Sequence, residues 1–303
     1  MEEFIKGTFN EAELETAIIQ MFENQEYEYV NGYSIHCRSD NILLENDLRS
    51  YLTNLYRDLT PSEITKVISK LKNIPYYSLY QGNRETFWLL NEGFDFPRDD
   101  SSQLAIHIDY IDFEHPENNT FKVVNQYTVD TGRQPRRPDV LLFINGIPVA
   151  IFEFKTAIQE ETTIHDAWKQ ITIRYNRDIP NLMKYCMLTV ISDGANTKMG
   201  SIFTPYEYFY AWNKANDEEK VSNGISALFT MIKGAFTQER LLAILRDFIY
   251  YPDDSPKNEA IVTRYPQFFA ANKMLANIKE HLKPGGDGKG GTYFGAVKGH
   301  AKM

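Results

Sequence analysis

The sequence predicts a mixed α/β fold, with a central sheet flanked by helices and a mostly helical C-terminal segment. Three observations lead to this prediction. Apolar residues recur at helical spacing over residues 9–23, which indicates an amphipathic helix. Alternating and continuous apolar runs fill residues 121–155 and are typical of strands. Helical patterns resume after residue 225, beyond a polar stretch that begins near residue 213.

Each predicted element has its own local pattern. In the first helix Asn10 suits the N-cap position, and acidic residues fill the first turn. Thr60 and Pro61 are a favourable start for a later helix. Asn145-Gly146 separates two apolar runs and predicts a hairpin, because both central residues of a type I′ turn need positive φ. In chain order we further predict helices over 47–58 and 61–72, strands over 86–92, 104–113 and 121–129, a hairpin over 140–155, a helix over 163–177, a strand over 185–192, and helices over 225–233, 238–249 and 257–282.

The composition of the 303-residue chain bounds the class of protein. Its hydrophobic fraction of 43% and charged fraction of 24% are ordinary for a globular protein. We expect no membrane partner, because no apolar stretch reaches the ~20 residues that span a bilayer. With only two cysteines, neither a disulfide framework nor a cysteine zinc site is expected, and the cytoplasm is the expected compartment. The net charge of −9 excludes a uniformly basic nucleic-acid-binding protein but leaves room for a local basic groove.

Charged residues interrupt the most hydrophobic part of the chain, which reads RRPDVLLFINGIPVAIFEFK at residues 136–155. Glu153 and Lys155 share one face of the second strand of the hairpin, and the turn returns Asp139 towards them. Because burying unpaired charges is costly, we expect these groups to meet one another, a metal ion, or both. Asp139 and Glu153 could hold Mg²⁺, which prefers oxygen ligands, and Lys155 could position a water or stabilise developing negative charge. Such a set is suited to the hydrolysis of a phosphodiester bond.

The register of the hairpin raises a difficulty for this site. Regular pairing around Asn145-Gly146 would place Asp139 opposite Phe152, on the other face of the sheet from Glu153. We therefore predict a bulge, an odd-length loop or an early strand end near Asp139. Pro148 is compatible with such an interruption, because it cannot donate to the ladder.

A second interpretation of these charges remains open. Asp139, Glu153 and Lys155 could form a salt-bridge cluster at the edge of a sheet, with no catalytic role. Arg136 and Arg137 directly precede this stretch and could bind DNA phosphates or be ordinary surface charge. The spacing of the residues alone does not separate these interpretations.

The same residues match a known pattern. Pro-Asp followed by 13 residues and Glu-x-Lys resembles the PD-(D/E)xK nuclease motif. The longer block around it is similar to that of type I restriction endonuclease R (restriction) subunits. Flanking segments agree in the same order, with IDFEHPENNTFKVVNQYTV before the motif and HDAWKQITIRYNRDIPNL, ISDGANTKMGS and YEYFYAW after it. The resemblance covers about residues 9–215.

The resemblance implies a restriction-endonuclease-like fold and a Mg²⁺-dependent DNA endonuclease module without sequence specificity of its own. Asp139 and Glu153 would be the metal ligands and Lys155 the catalytic lysine. Glu15 in the first helix matches the family's helical acid, which often completes the metal site, although a solvated helix face would also explain it. The implied partners are double-stranded DNA and the methyltransferase and specificity subunits of a type I restriction complex.

Gln170 and Tyr175 resemble the family's Gln-x-x-x-Tyr element, which is thought to support nuclease function, but here the spacing is one residue longer. In an α-helix residues i and i+4 share a face, whereas i and i+5 are rotated apart. We therefore do not expect the two side chains to act as a pair, and a structural role is favoured. Lys169 and Arg174 lie beside them and are candidates for DNA binding.

The C-terminal residues resemble the start of the helicase-like ATP motor that follows the nuclease domain in the family. Gln267 matches the glutamine that contacts adenine in such motors, here as a remnant only. The ending GKGGTYFGAVKGHAKM lacks the second glycine and the Ser or Thr of a phosphate-binding loop, so we expect no ATP hydrolysis by this chain. We expect a fragment with a nuclease domain over 1–215 and a linker with a truncated motor over 216–303. ATP would be a ligand of the full-length protein only.

Two alternatives to the nuclease interpretation remain. The chain could be a non-catalytic DNA-docking or subunit-interaction module that retains the nuclease fold, or a stand-alone nuclease that serves repair. Proximity of the Asp139 and Glu153 carboxylates to each other and to Lys155 would favour an enzyme over a docking module.

Overall fold

A computed structural model describes residues 11–35, 42–130, 134–155, 163–252 and 257–282. The central element is a six-stranded mixed sheet in the order β1-β4-β5-β6-β7-β8, and helices flank it. This arrangement confirms the predicted α/β fold. The strands of the sheet are β1 (Glu28–Asn31), β4 (Phe121–Asn125), β5 (Val140–Ile144), β6 (Ile147–Phe154), β7 (Leu188–Ser192) and β8 (Thr197–Gly200). Two small sheets pair β2 (Phe94–Phe96) with β3 (Ile106–Ile108) and β9 (Ile249–Tyr250) with β10 (Ile261–Val262).

The helices follow the predicted order along most of the chain. They are α1 (Glu11–Glu23), α2 (Glu45–Leu55), α3 (Pro61–Lys72), α4 (Leu79–Glu92), α5 (Ile164–Lys169), α6 (Asn176–Asp178), α7 (Pro180–Met183), α8 (Ile225–Ala235), α9 (Gln238–Asp247) and α10 (Tyr265–Leu282). A π-helical turn, Gln170–Tyr175, joins α5 to α6. Thr60 caps α3 through a capping box with Glu63, as its sequence predicts. The predicted N-cap of α1, Asn10, lies outside the described residues.

The predicted strand over residues 86–92 is wrong, because these residues form the second half of α4. Ser78 caps this helix by accepting a hydrogen bond from the backbone of Gln81. Its buried positions include Asn83, Phe87 and Leu90, which recur with helical spacing. Thr, Phe and Trp in this stretch favour strands only weakly, and packing of the apolar helix face overrides that preference.

The hairpin of β5 and β6 has the predicted turn. Asn145 and Gly146 have φ values of 50° and 78°, as a type I′ turn requires. The turn is buried, since a Cβ on Gly146 would lie 2.3 Å from the carbonyl oxygen of Leu44. Asn145 uses its side-chain amide to donate to the carbonyl of Tyr110, which ties the turn to the neighbouring loop.

The hydrophobic core continues from the sheet into the C-terminal helices. Phe236, at the end of α8, packs its ring on Phe22 of α1 and on Phe152 of β6. The hydroxyl of Tyr27 donates to the Phe236 carbonyl at 3.0 Å. The predicted helix over 257–282 begins later, at Tyr265. None of the helices within the described residues is long and apolar enough to cross a membrane. Residues 283–303, with the predicted remnant of the phosphate-binding loop, lie outside the described residues.

Candidate active site

One end of the central sheet collects the predicted site residues. β5 runs antiparallel to β4 and β6, so its start lies beside the ends of those two strands. β7 runs parallel to β6 and β1 runs parallel to β4, so they end at the same edge. Asp139, immediately before β5, and Glu153, near the end of β6, therefore meet at this edge.

A bulge in β6 brings Asp139 and Glu153 to the same face. Ile144 pairs with Ile147 and Phe143 with Pro148, but Leu142 pairs with Ala150, so Val149 is the extra residue. The shifted register pairs Val140 with Phe152, and the next position places Asp139 opposite Glu153. The predicted irregularity is therefore present. It lies beside Pro148, with β5 starting one residue after Asp139.

Hydrogen bonds fix the three charged side chains. The Lys155 ammonium donates to Glu153 Oε1 at 2.7 Å and to the Phe154 carbonyl at 2.8 Å. The backbone N–H of Phe154 donates to Asp139 Oδ2 at 2.7 Å. Tyr175 donates its hydroxyl proton to Glu153 Oε2 at 3.0 Å, so both carboxylate oxygens of Glu153 have partners.

Burial shifts the protonation equilibria of this cluster. Glu153 is only 1% exposed, and burial raises its pKa. Burial, together with the negative charge of Glu153, raises the pKa of Asp139 to about 8. Burial alone would lower the pKa of Lys155, but the charge and hydrogen bond of Glu153 outweigh that effect and raise it. A buried carboxyl group, Glu153, and a half-buried one, Asp139, thus lie beside one ammonium, so ionisation of both would leave excess negative charge at the sheet end.

Gln170 and Tyr175 form a pair, which corrects the prediction from their spacing. The Gln170 amide donates to the Tyr175 hydroxyl at 2.8 Å. The π-helical turn explains the contact, because its hydrogen bonds join residues five apart, as from Asn176 N–H to the Ile171 carbonyl. The extra residue is absorbed by the wider turn, so positions i and i+5 lie on one face. The hydroxyl of Tyr175 also bonds Glu153, so Gln170 is connected to Glu153 through Tyr175.

The acidic residues of α1 divide into two environments. The amides of Asn125 and Gln126 donate to the two carboxylate oxygens of Glu15, at 2.5 and 2.7 Å. Glu11 instead raises the pKa of Asp139 and of Glu153 by its charge, so it acts directly on the cluster. Glu11 was not among the predicted site residues; it precedes Glu15 by four residues and therefore shares its helix face. The metal-binding role of Glu15 stays a prediction.

The predicted DNA-binding cations occupy different settings. Arg136 pairs with the buried carboxylate of Asp178, which fits a structural role better than a free phosphate contact. Its neighbour Arg137 is exposed. Lys169 lies 3.6 Å from Asp166 on the surface of α5, and Arg174 is exposed on the π-helical turn. Their predicted contacts with DNA stay predictions.

Asp139 and Glu153 offer carboxylate oxygens, the ligand type that Mg²⁺ prefers. Among the described residues no group of three or more His, Cys, Asp or Glu side chains is arranged to hold a metal. Mg²⁺ commonly binds one or two carboxylates and completes its shell with water and substrate phosphate oxygens. Two carboxylates with a single lysine, together with the charge of Glu11, fit a hard dication of this kind.

Gln267 lies far along the chain, at the start of α10. Its side-chain oxygen accepts a hydrogen bond from the Arg264 backbone N–H at 3.0 Å, and its side chain is exposed. The side chain thus helps to cap the helix. The predicted contact with adenine stays a prediction.

Comparison with known proteins places the chain in a family. Residues 8–208 match the family described as "Type I restriction enzyme R protein N terminus". The chain is 29% identical over 289 residues to the putative type I restriction enzyme MjaIXP endonuclease subunit of Methanocaldococcus jannaschii, covering 86% of this chain and 27% of that protein. It is 26% identical over 279 residues to the type I restriction enzyme HindI endonuclease subunit of Haemophilus influenzae, covering 88% and 26% respectively. It thus spans about a quarter of the length of these curated relatives. Because the family match covers more than half of the chain, the protein belongs to the family of type I restriction enzyme R protein N-terminal regions.

Proposed function

We propose that this chain is the Mg²⁺-dependent DNA endonuclease module of a type I restriction system, and that it lacks sequence specificity of its own. The observation that supports this most strongly is the sheet end where Asp139 faces Glu153 and Lys155 bonds Glu153. A surface salt bridge would need one acid and one base. Here two facing carboxyl groups, one buried and one half-buried, lie beside a single lysine, at a site that a dication would neutralise.

Each residue of the site has a proposed task. Asp139 and Glu153 hold Mg²⁺, which when bound supplies an activated water and neutralises charge on the scissile phosphate. Lys155 positions the attacking water or stabilises the negative charge that develops on the phosphate oxygens. Tyr175 holds Glu153 in its orientation, and Gln170 holds Tyr175. Burial keeps these side chains in fixed positions, so little reorganisation is needed during reaction.

The proposed setting is a multisubunit restriction complex. The matched relatives are endonuclease subunits of type I restriction enzymes, more than three times as long as this chain. We propose double-stranded DNA as the substrate and methyltransferase and specificity subunits as partners. We propose that this chain does not hydrolyse ATP, since residues 285–303 lack the second glycine and the Ser or Thr of a phosphate-binding loop.

Nicking of supercoiled plasmid by the purified chain in Mg²⁺ tests the proposal. We expect Glu153→Ala and Lys155→Ala each to reduce nicking at least about a hundredfold, because each removes a group that acts on the reacting phosphate. Glu85→Ala, at an exposed residue of α4, is the matched control and should nick like the native chain. Nicking that survives in both site variants would refute the assignment. DNA binding without any nicking by the native chain would favour the docking module instead.

A further inference from the structure

Arg137 and Tyr33 form an exposed pair beside the candidate active site. The Arg137 guanidinium lies 5.4 Å from the centre of the Tyr33 ring, and its Nη1 donates to the Tyr33 hydroxyl at 2.7 Å. Tyr33 is 62% exposed although its hydroxyl has a hydrogen-bonding partner. The pair therefore presents a cation and an aromatic ring to solvent at one place.

The positive charge of Arg137 is available to a ligand, in contrast to that of Arg136. Within the described residues Arg137 has no carboxylate within ion-pair distance, whereas Arg136 pairs with Asp178. The contact with the Tyr33 hydroxyl orients the guanidinium without bringing a carboxylate to it. An arginine has five N–H donors, and one bond to Tyr33 leaves others for a second partner.

Tyr33 is mounted on the end of the sheet that carries the site. β1 ends at Asn31, whose side chain accepts a hydrogen bond from the Tyr33 backbone N–H at 2.9 Å. Gly32 packs so closely on β4 that a Cβ there would lie 2.4 Å from the Asn125 carbonyl oxygen. The backbone that carries Tyr33 is thus held at the end of the sheet by contacts of Asn31 and Gly32.

The distance from this pair to the site is short. Arg137 precedes Asp139 by two residues, and two extended residues span at most about 7 Å. β1 and β5 flank β4 on its two sides, so their ends are about 10 Å apart. A DNA strand whose scissile phosphate lies at Asp139 would therefore pass a neighbouring phosphate within reach of Arg137.

We propose that Arg137 binds a backbone phosphate of DNA next to the scissile one, and that Tyr33 is the positioning residue that orients its guanidinium. The proposal rests on the proposed nuclease function for its substrate class. An arginine fork matches phosphate oxygens, and contacts of this kind fix the register of a duplex without reading its sequence. The alternative is a cation–π pair that only covers the surface, which would contribute nothing to DNA affinity.

Equilibrium binding of a fluorescent duplex oligonucleotide, measured by anisotropy in EDTA over a series of NaCl concentrations, tests the proposal. The slope of the logarithm of the DNA association constant against the logarithm of the NaCl concentration should fall in magnitude by about 0.9 in Arg137→Ala, because one phosphate contact is lost. The affinity should fall by about threefold to tenfold, equally for unrelated sequences. Arg84→Ala is the matched control, since Arg84 also lies over a tyrosine ring, that of Tyr80. Its slope should equal that of the native chain.

Tyr33→Ala separates positioning from charge. It keeps the Arg137 charge, so the salt slope should stay native while affinity falls by about twofold to threefold. That loss should disappear when the Arg137→Ala change is already present, as expected for residues that act through one another. A native salt slope in Arg137→Ala, or no binding by the native chain at low salt, would overturn the proposal.

The binding assay and the nicking assay test the two proposals separately. An Arg137-dependent salt slope with nicking that persists in Glu153→Ala would refute the nuclease assignment and leave the phosphate contact standing. Nicking that depends on Glu153, with an Arg137→Ala slope equal to that of Arg84→Ala, would refute the phosphate contact alone.

Discussion

At the scale of single residues, the site is defined by an imbalance of charge in a buried place. Asp139 and Glu153 lie on one face, and Lys155 supplies a single compensating charge to both. Without a cation, the least unfavourable way to relieve the repulsion between the two carboxylates is to keep a proton on one of them. Burial and the charge of Glu153 raise the pKa of Asp139 to about 8, and burial also raises the pKa of Glu153, so the pair keeps a proton that two exposed carboxyl groups would lose.

Asp139→Asn should change how stability depends on pH. An acid with a higher pKa in the folded chain stabilises that state at low pH, and the contribution is lost as the pH rises from about 4 to about 8. Asparagine cannot ionise, so in EDTA we expect the variant to exceed native stability by on the order of 5 kcal/mol at pH 9 and to match it near pH 4. Urea unfolding at several pH values measures this difference. Parallel pH profiles for the two proteins would contradict it.

At the scale of elements, the π-helical turn and the β6 bulge have the same structural effect. Each inserts one residue into a regular element and so changes which side chains share a face. The bulge at Val149 turns Asp139 towards Glu153, and the π-helical turn aligns Gln170 with Tyr175. Such irregularities are common at functional sites because they re-aim side chains without changing the rest of the element.

Deletion of Ile173 tests the role of the π-helical turn. Ile173 is 52% exposed, and removing it gives the four-residue spacing that aligns side chains in an ordinary α-helix. We expect the Gln170–Tyr175 pair to survive, with nicking within about threefold of native, because the flanking turns keep their positions. Insertion of one alanine after Ile173 is the control and should break the pair and reduce nicking. Equal nicking by both variants would show that the alignment does not matter.

At the scale of the whole molecule, the C-terminal helices are part of the same hydrophobic core as the sheet. The rings of Phe22, Phe152 and Phe236 pack together, and they join α1, β6 and the end of α8. Phe152 is adjacent to Glu153, so this packing also supports the strand that carries the site. The predicted boundary at residue 215 remains a prediction, but the helices after it are packed on the nuclease core.

Phe236→Ala should therefore destabilise the whole chain. Removing a fully buried ring leaves a cavity between α1, α8 and β6, and we expect a loss of about 3–5 kcal/mol in the free energy of unfolding. Tyr77→Ala, at a fully exposed ring, is the control and should change stability by less than about 0.5 kcal/mol. Urea unfolding followed by circular dichroism measures both. A Phe236→Ala value as small as the control would show that the C-terminal helices fold apart from the sheet.

The sequence by itself determined the elements that depend on local chemistry. The Thr60 capping box, the Asn145-Gly146 turn and the apolar strands follow from residue type and spacing. It also identified Asp139, Glu153 and Lys155, because charges within an apolar strand need partners. The need for an irregularity followed from counting the register, since a one-residue shift exchanges the two faces of a strand.

Only the tertiary structure decided where that irregularity lies and which distant groups meet. The bulge formed beside Pro148, the residue that cannot donate to the ladder. The charge of Glu11 acts on Asp139, although the sequence around Glu11 is typical of a solvated helix face. A hydrogen-bonding partner of Glu15, Asn125, comes from the end of β4. The helix spacing that separated Gln170 from Tyr175 assumed a regular α-helix, and a wider turn joined them. These outcomes depend on packing between elements remote in sequence, so local patterns do not contain them.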